Sequence, residues 1–226
     1  MIIGGVLLVD LKAKAKQLRN DVLDMCVKAG TGHVTSCFSC TEIMVALFYD
    51  VMKEGDHFLL SKGQASPLLY AILADKGIIP REDIESFCTA DGSLGVHLDY
   101  HVNGVECTFG SLGNGIGIGI GFALADKEHT TYVLIGDGEC YEGSIWEALL
   151  FSNTHHVPNL KVIVDWNGQM ATTETSHIVK ELLRSFPNVL IEDTTKGTSS
   201  MSDNLKWHGI APQGEDARKA KEELNG

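Results

Sequence analysis

The stretch from residue 132 to residue 150 constrains this 226-residue chain more than any other. Tyr132-Val133-Leu134-Ile135 is a short apolar, β-branched run of the kind that forms a buried strand, and Gly143 to Leu150 has the composition of a helix. Gly136-Asp137-Gly138 lies between them, so two glycines sit at a strand-to-helix turn. Glycine lets the main chain approach a phosphate closely, and amides near a helix N-terminus favour negative charge. A second apolar run, Val164-Asp165-Trp166-Asn167, ends about 30 residues further on. Asp137 supplies a carboxylate and Asn167 an amide oxygen, both hard ligands suited to Mg²⁺ where a diphosphate completes the octahedron. Alone, Gly-Asp-Gly reads as a tight turn. The strand, turn, helix and second strand together point to a magnesium-diphosphate site.

Composition narrows the partners. With 44% hydrophobic residues the chain is long enough for one well-buried α/β domain spanning 1–226. A formal charge of −12 disfavours nucleic acid or an anionic membrane, either of which needs a concentrated basic surface. It also makes a cation more necessary for holding a diphosphate. No run of 18 apolar residues marks a membrane span. Met1 to Val9 is apolar without a basic start or a small-residue cleavage site, and reads as an ordered arm. The cysteines at 26, 37, 40, 88, 107 and 140 make a poor disulfide framework, so free thiols in a reducing cytoplasm are expected. Cys37 and Cys40 form a Cys-x-x-Cys near His33, but no second ligand pair stands at a zinc-finger spacing. Buried thiols in a loop leading to a helix are the expectation there.

Periodicity supplies the remaining elements. Leu11, Ala15, Leu18, Val22, Met25 and Ala29 place an amphipathic helix over 11–29, ended by Gly30. Thr41 to Met52 is a second helix, and Ser66-Pro67 opens a third that Gly77 ends. His57 to Leu60 reads as a short strand, and residues 88–109 as an ordered loop carrying His97. Glycines 113 to 121 alternate, yet the third glycine of Gly-x-Gly-x-x-Gly falls on Ile118 or Ile120, which removes a dinucleotide site. A helix to about Lys127 with small residues every four positions is the better account. Its glycines cost roughly 1 kcal/mol each against alanine, a cost that close packing should offset. A helix near Ser176 to Ser185, a strand at Val189 to Asp193 and a charged helix at Glu215 to Leu224 follow.

Gly32-His33, the run Phe58 to Ser66 with Lys62-Gly63-Gln64, His97, Gly110-Ser111-Leu112-Gly113, Gly136 to Ala148 and Trp207-His208-Gly209 stand in the order and spacing seen in transketolases. The spacing of Gly-Asp-Gly and Asn resembles the thiamine diphosphate motif. Over nearly its whole length the chain resembles the separately encoded N-terminal subunit of split transketolases. The resemblance implies a doubly wound, mainly parallel α/β sheet and transfer of a two-carbon ketol unit from a ketose to an aldose. It implies thiamine diphosphate with Mg²⁺, or Ca²⁺ or Mn²⁺ in its place. A chain of this length is too short for a complete enzyme of the family. A second, C-terminal subunit carrying the pyrimidine-binding domain is therefore expected, in a heterotetramer acting on a sugar or sugar phosphate.

By matching positions, the resemblance assigns Asp137, Asn167 and the main-chain carbonyl of Gln169 to the metal. It sets Gly138 against the diphosphate and gives Gly110 and Leu112 backbone contacts to the aminopyrimidine. It puts His33, His97 and His208 along the substrate channel, where a near-neutral pKa suits proton transfer, with His208 also touching the cofactor. Glu142 and Glu147 resemble acidic residues that link paired active sites, and the alternating-glycine helix matches one near the family's subunit interface. Three departures stand out. Gln64 replaces a histidine near the diphosphate and cannot carry a proton at neutral pH. Val34 replaces a frequent proline, and the region beyond Asn167 is shortened and lacks a Gly-His-Asp segment. A 2-oxo acid dehydrogenase-type subunit likewise carries Gly-Asp-Gly and Asn, though His33, His97 and Trp207-His208 argue against it. A noncatalytic interaction subunit that keeps the fold is the reading that Gln64 and the shortened region would favour.

Overall fold

The computed structural model describes residues 2–3, 6–7, 9–202 and 204–226. Of the arm expected at Met1 to Val9, residues 1, 4, 5 and 8 lie outside them. Within it, strands β1 (Ile2–Ile3) and β2 (Val6–Leu7) pair antiparallel. Helix α1 (Leu11–Ala29) starts where Asp10 accepts hydrogen bonds from the amides of Lys12 and Ala13, at 3.0 and 3.1 Å. It ends at Gly30 in the left-handed conformation, φ 70°, as the sequence indicates. Residues 34–39, expected as loop, form a short helix α2 (Val34–Ser39), all of whose residues are buried. Local propensity is weak there, and burial decides the conformation. Helix α3 (Thr41–Ala46) continues as one wide π turn, Leu47–Val51, so the expected helix over 41–52 is present with a changed pitch.

Strand β3 (His57–Leu60) leads through a tight turn at Gly63–Ala65 into α4 (Ser66–Asp75), with Pro67 in its first turn. A short helix α5 (Arg81–Glu85) was not legible in the sequence. The loop over 88–109 holds only one bridge, between Leu98 and Phe109. Then come α6 (Gly115–Ala125), β4 (Thr131–Gly136), α7 (Gly143–Thr154), β5 (Leu160–Trp166), α8 (His177–Leu183), β6 (Val189–Asp193) and α9 (Gly214–Asn225).

Strands β3, β4, β5 and β6 form one parallel sheet in chain order. Parallel sheets need cover on both faces, and their central strands here are almost wholly buried. On one face α6 closes down. A Cβ on Gly119 would stand 2.4 Å from Val133 Cγ2, so the backbone approach needs glycine there. On the other, Phe58 of β3 meets Phe48 edge-to-face at 4.9 Å, and Ser39 of α2 reaches Asp165 of β5. Helices thus flank both faces, the layering of a doubly wound sheet. The cover is incomplete at the β6 edge, where Leu190 is 54% exposed and a cavity of about 1150 Å³ runs between α3 and strands β5 and β6.

Candidate functional site

Ligand sites in parallel α/β sheets lie beyond the carboxyl ends of the strands. Here Lys62 and Gln64 follow β3, Asp137 and Gly138 follow β4, Asn167 and Gln169 follow β5, and Lys196 follows β6. Four loops distant in sequence therefore face one another only because their strands are parallel and adjacent.

The turn after β4 is not a direct entry into α7, because a 3-10 turn over Gly138–Tyr141 intervenes. Asp137 caps that turn through the Gly138 amide at 2.9 Å. Its other oxygen accepts from the Gly168 amide at 2.6 Å and from Thr175 Oγ1 at 3.2 Å, which ties the Gly-Asp-Gly turn to the Asn167 loop. The Asn167 amide oxygen accepts from the Gln169 amide at 3.1 Å. Gly168 adopts φ 78°, which lets the loop turn back on itself. Asp137 is 2% exposed, and burial with the nearby Asp165 carboxylate raises its pKa against the opposing pull of Lys62. A cation beside it would favour the charged form.

A cluster of basic side chains shares this site. Lys196 is buried, with Nζ 3.0 Å from His208 Nδ1 and 3.5 Å from the Gln169 carbonyl oxygen. The rings of His33 and His208 meet edge-to-face at 5.6 Å. Burial, then repulsion by Lys196, His33 and Lys62, lowers the His208 pKa to about 4. Burial and Lys62 lower Lys196 to about 8, with Asp137 and Asp165 pulling the other way. His33 is lowered for the same reason, first by burial and then by His97, Lys196 and Lys62. Its Nδ1 is buried with no hydrogen-bond partner among the described residues. His97 itself is exposed, and its carbonyl accepts from Tyr70 Oη at 3.1 Å.

Beneath these groups Lys62 pairs with Asp165, 2% and 0% exposed at their side chains. Asp165 also accepts from Ser39 Oγ and Thr194 Oγ1, and Lys62 Nζ donates to the Ser36 carbonyl at 3.1 Å. Burial opposes the charge on Lys62, but Asp165, Cys40 and Asp137 together outweigh it and the pKa is raised. Gln64 is half-buried in the turn after Lys62. Gly110 and Leu112 are exposed on the neighbouring loop, and a Cβ on Gly110 would meet nothing within 4 Å. Glu142 and Glu147 are exposed at the start of α7, outside the cluster. Cys37 and Cys40 are free, buried thiols; Cys40 Sγ donates to the Ser36 carbonyl at 3.3 Å, and burial pushes both pKa values up.

The residues fit a diphosphate with a divalent cation. Asp137, Asn167 and the Gln169 carbonyl form an all-oxygen donor set with one formal charge, which leaves coordination positions for phosphate oxygens. The buried unpartnered His33 Nδ1 and the crowded Lys196 and His208 form a basic wall that an anion would relieve. Four contributors carry no signal of a site role in the sequence: Lys62, Asp165, Lys196 and Glu139, whose buried carboxylate accepts from the Gly113 and Gly136 amides. Lys62 and Glu139 lie inside segments that bear the family resemblance, but only burial distinguishes them. Lys196 lies in the loop after β6, beyond the segments that bear the resemblance.

The fold and this site define a class, the thiamine diphosphate-binding domains. The family model described as "Transketolase, thiamine diphosphate binding domain" matches residues 11–185, and the chain belongs to that family. It is 32% identical over 245 residues to a transketolase of Pongo abelii, covering 88% of this chain and 39% of the relative. It is 30% identical over 263 residues to one of the subunits of the apulose-4-phosphate transketolase of Phocaeicola vulgatus, covering 95% and 94% of the two chains. The transketolase of Campylobacter jejuni superposes with TM-score 0.84 at 27% identity, covering 95% of this chain and 42% of that one. The chain thus spans about two fifths of the transketolases it matches. Among the described residues no helix is long and apolar enough to cross a membrane.

Proposed function

We propose that this chain, as a single domain over 1–226, is the diphosphate-binding subunit of a magnesium- and thiamine diphosphate-dependent transketolase in the cytoplasm. It would transfer a two-carbon ketol unit from a ketose to an aldose. The observation that carries this reading is the meeting of Asp137, Asn167 and Gln169 with Lys196, His208 and His33 at the carboxyl ends of adjacent parallel strands. A subunit-sized relative, similar over nearly the whole chain, supports a partner subunit that completes the site in a heterotetramer.

In this reading Asp137, the Asn167 side-chain oxygen and the Gln169 carbonyl hold Mg²⁺, while Gly138 and Gln64 lie along the diphosphate. Gly110 and Leu112 present main-chain groups to the aminopyrimidine. Bound thiamine diphosphate supplies the carbanion chemistry of ketol transfer. His33, His97 and His208 orient substrate hydroxyls and move protons; the lowered pKa values of His33 and His208 keep those two rings neutral acceptors at pH 7. Lys196 offsets phosphate charge. Asp137→Ala should abolish magnesium-dependent thiamine diphosphate binding by the folded assembly. Unchanged affinity by calorimetry would remove the metal assignment.

A further inference from the structure

We infer that Glu139 is a positioning residue that fixes the spacing between the two loops expected to hold opposite ends of the cofactor. This inference rests on the proposed function. The Glu139 side chain is buried, 1% exposed, and its carboxylate takes hydrogen bonds from both loops. One oxygen, Oε1, accepts from the Gly113 amide at 2.8 Å and from Ser61 Oγ. The other, Oε2, accepts from the Gly136 amide at 3.3 Å. One carboxylate therefore clamps the Gly110–Gly113 loop, the turn that carries Asp137 and Gly138, and the end of β3.

The clamp extends one bond further on each side. Ser61 Oγ accepts from the Gly115 amide at 3.2 Å, which anchors the first turn of α6. Ser144 Oγ donates to the Gly113 carbonyl at 2.9 Å. Gly113 adopts φ 88°, and a Cβ there would stand 2.5 Å from Ser144 Oγ, so the loop has no slack at this point. Apolar packing alone could hold α6 against the sheet. A buried carboxylate facing only donors, two of them main-chain amides on separate loops, sets their separation.

Glu139→Gln preserves shape but turns one acceptor into a donor. If the amide nitrogen takes the Oε2 position it faces the Gly136 N–H, and if it takes the other it faces the Gly113 N–H. In either case the separation of the two loops is no longer fixed, while the Gly168 and Thr175 bonds to Asp137 still hold the turn that carries it. Magnesium-dependent binding of thiamine diphosphate and of inorganic diphosphate is measured by calorimetry on the wild-type and variant assemblies, with thermal unfolding alongside. Thiamine diphosphate should bind roughly tenfold more weakly, the lower part of the range for an unsatisfied buried donor, while inorganic diphosphate binds within about twofold of wild type. Equal losses for both ligands, or none for thiamine diphosphate, would overturn the inference. If Glu139→Gln does not fold, Ser61→Ala must show the same selective loss, and equal or absent losses there overturn it as well. Wild-type protein that binds inorganic diphosphate but not thiamine diphosphate would sink the proposed function together with this inference.

Discussion

Replacing Asp165 by asparagine tests whether the centre of the site is held by charge or by packing. The carboxylate is wholly buried and takes hydrogen bonds from Lys62 Nζ, Ser39 Oγ and Thr194 Oγ1. Asparagine has nearly the same volume, so no cavity forms. The variant leaves the Lys62 ammonium, itself 2% exposed, without its carboxylate counter-charge, facing at most a neutral amide oxygen beside the Ser36 carbonyl and Ser39 Oγ. Its amide nitrogen must also face one of the former donors. Breaking a buried pair by removing one member costs about 3–5 kcal/mol, because the surviving charge stays uncompensated. For a domain of this size each kcal/mol lowers the unfolding midpoint by roughly 2–4 °C, so a drop of about 6–20 °C is expected. Denaturant unfolding of Asp165→Asn, Lys62→Met and the double variant closes a thermodynamic cycle. The double variant should be less destabilised than the sum of the singles, since it buries no lone charge. A loss under about 1 kcal/mol in Asp165→Asn, or strict additivity, would refute the argument.

Two further outcomes test the scaffold. Gly119→Ala should destabilise by about 1–3 kcal/mol because the new methyl meets Val133, Leu160 and Leu59, whereas Gly117→Ala, with nothing within 4 Å, should stabilise by up to roughly 1 kcal/mol; equal effects in denaturant unfolding would disprove the packing account. His57 lies between Glu106 and Asp126, at 2.6 and 3.4 Å, and although burial lowers its pKa these carboxylates outweigh it and the net shift is upward. Its contribution to stability is complete below the unfolded pKa near 6.5 and is lost as pH rises through the higher folded value. His57→Gln should flatten that fall in stability, and an identical pH profile in the variant would count against it.

The local elements were legible in the sequence wherever a signal of short range decided them. Apolar periodicity and Gly30 delimit α1, Pro67 opens α4, and the apolar runs at 132–135 and 189–193 became strands of the sheet. Residues 34–39 and 81–85 were not, since each forms barely more than one helical turn whose stability comes from what it packs against. The same division runs through the site. Asp137 and Asn167 stood out by residue type and spacing, whereas His33, His97 and His208 stood out only through the segments that resemble transketolases.

Lys62, Glu139, Asp165 and Lys196 did not, because a lysine or a carboxylate reads as a surface residue until the fold removes its water. Sequence determined which side chains could bind a metal or an anion. The parallel order of β3 to β6 decided that those loops share one edge of the sheet, and burial decided which charges there must find partners. Charge is a local property of a residue, but its energy depends on the dielectric and the neighbours that only the tertiary structure supplies.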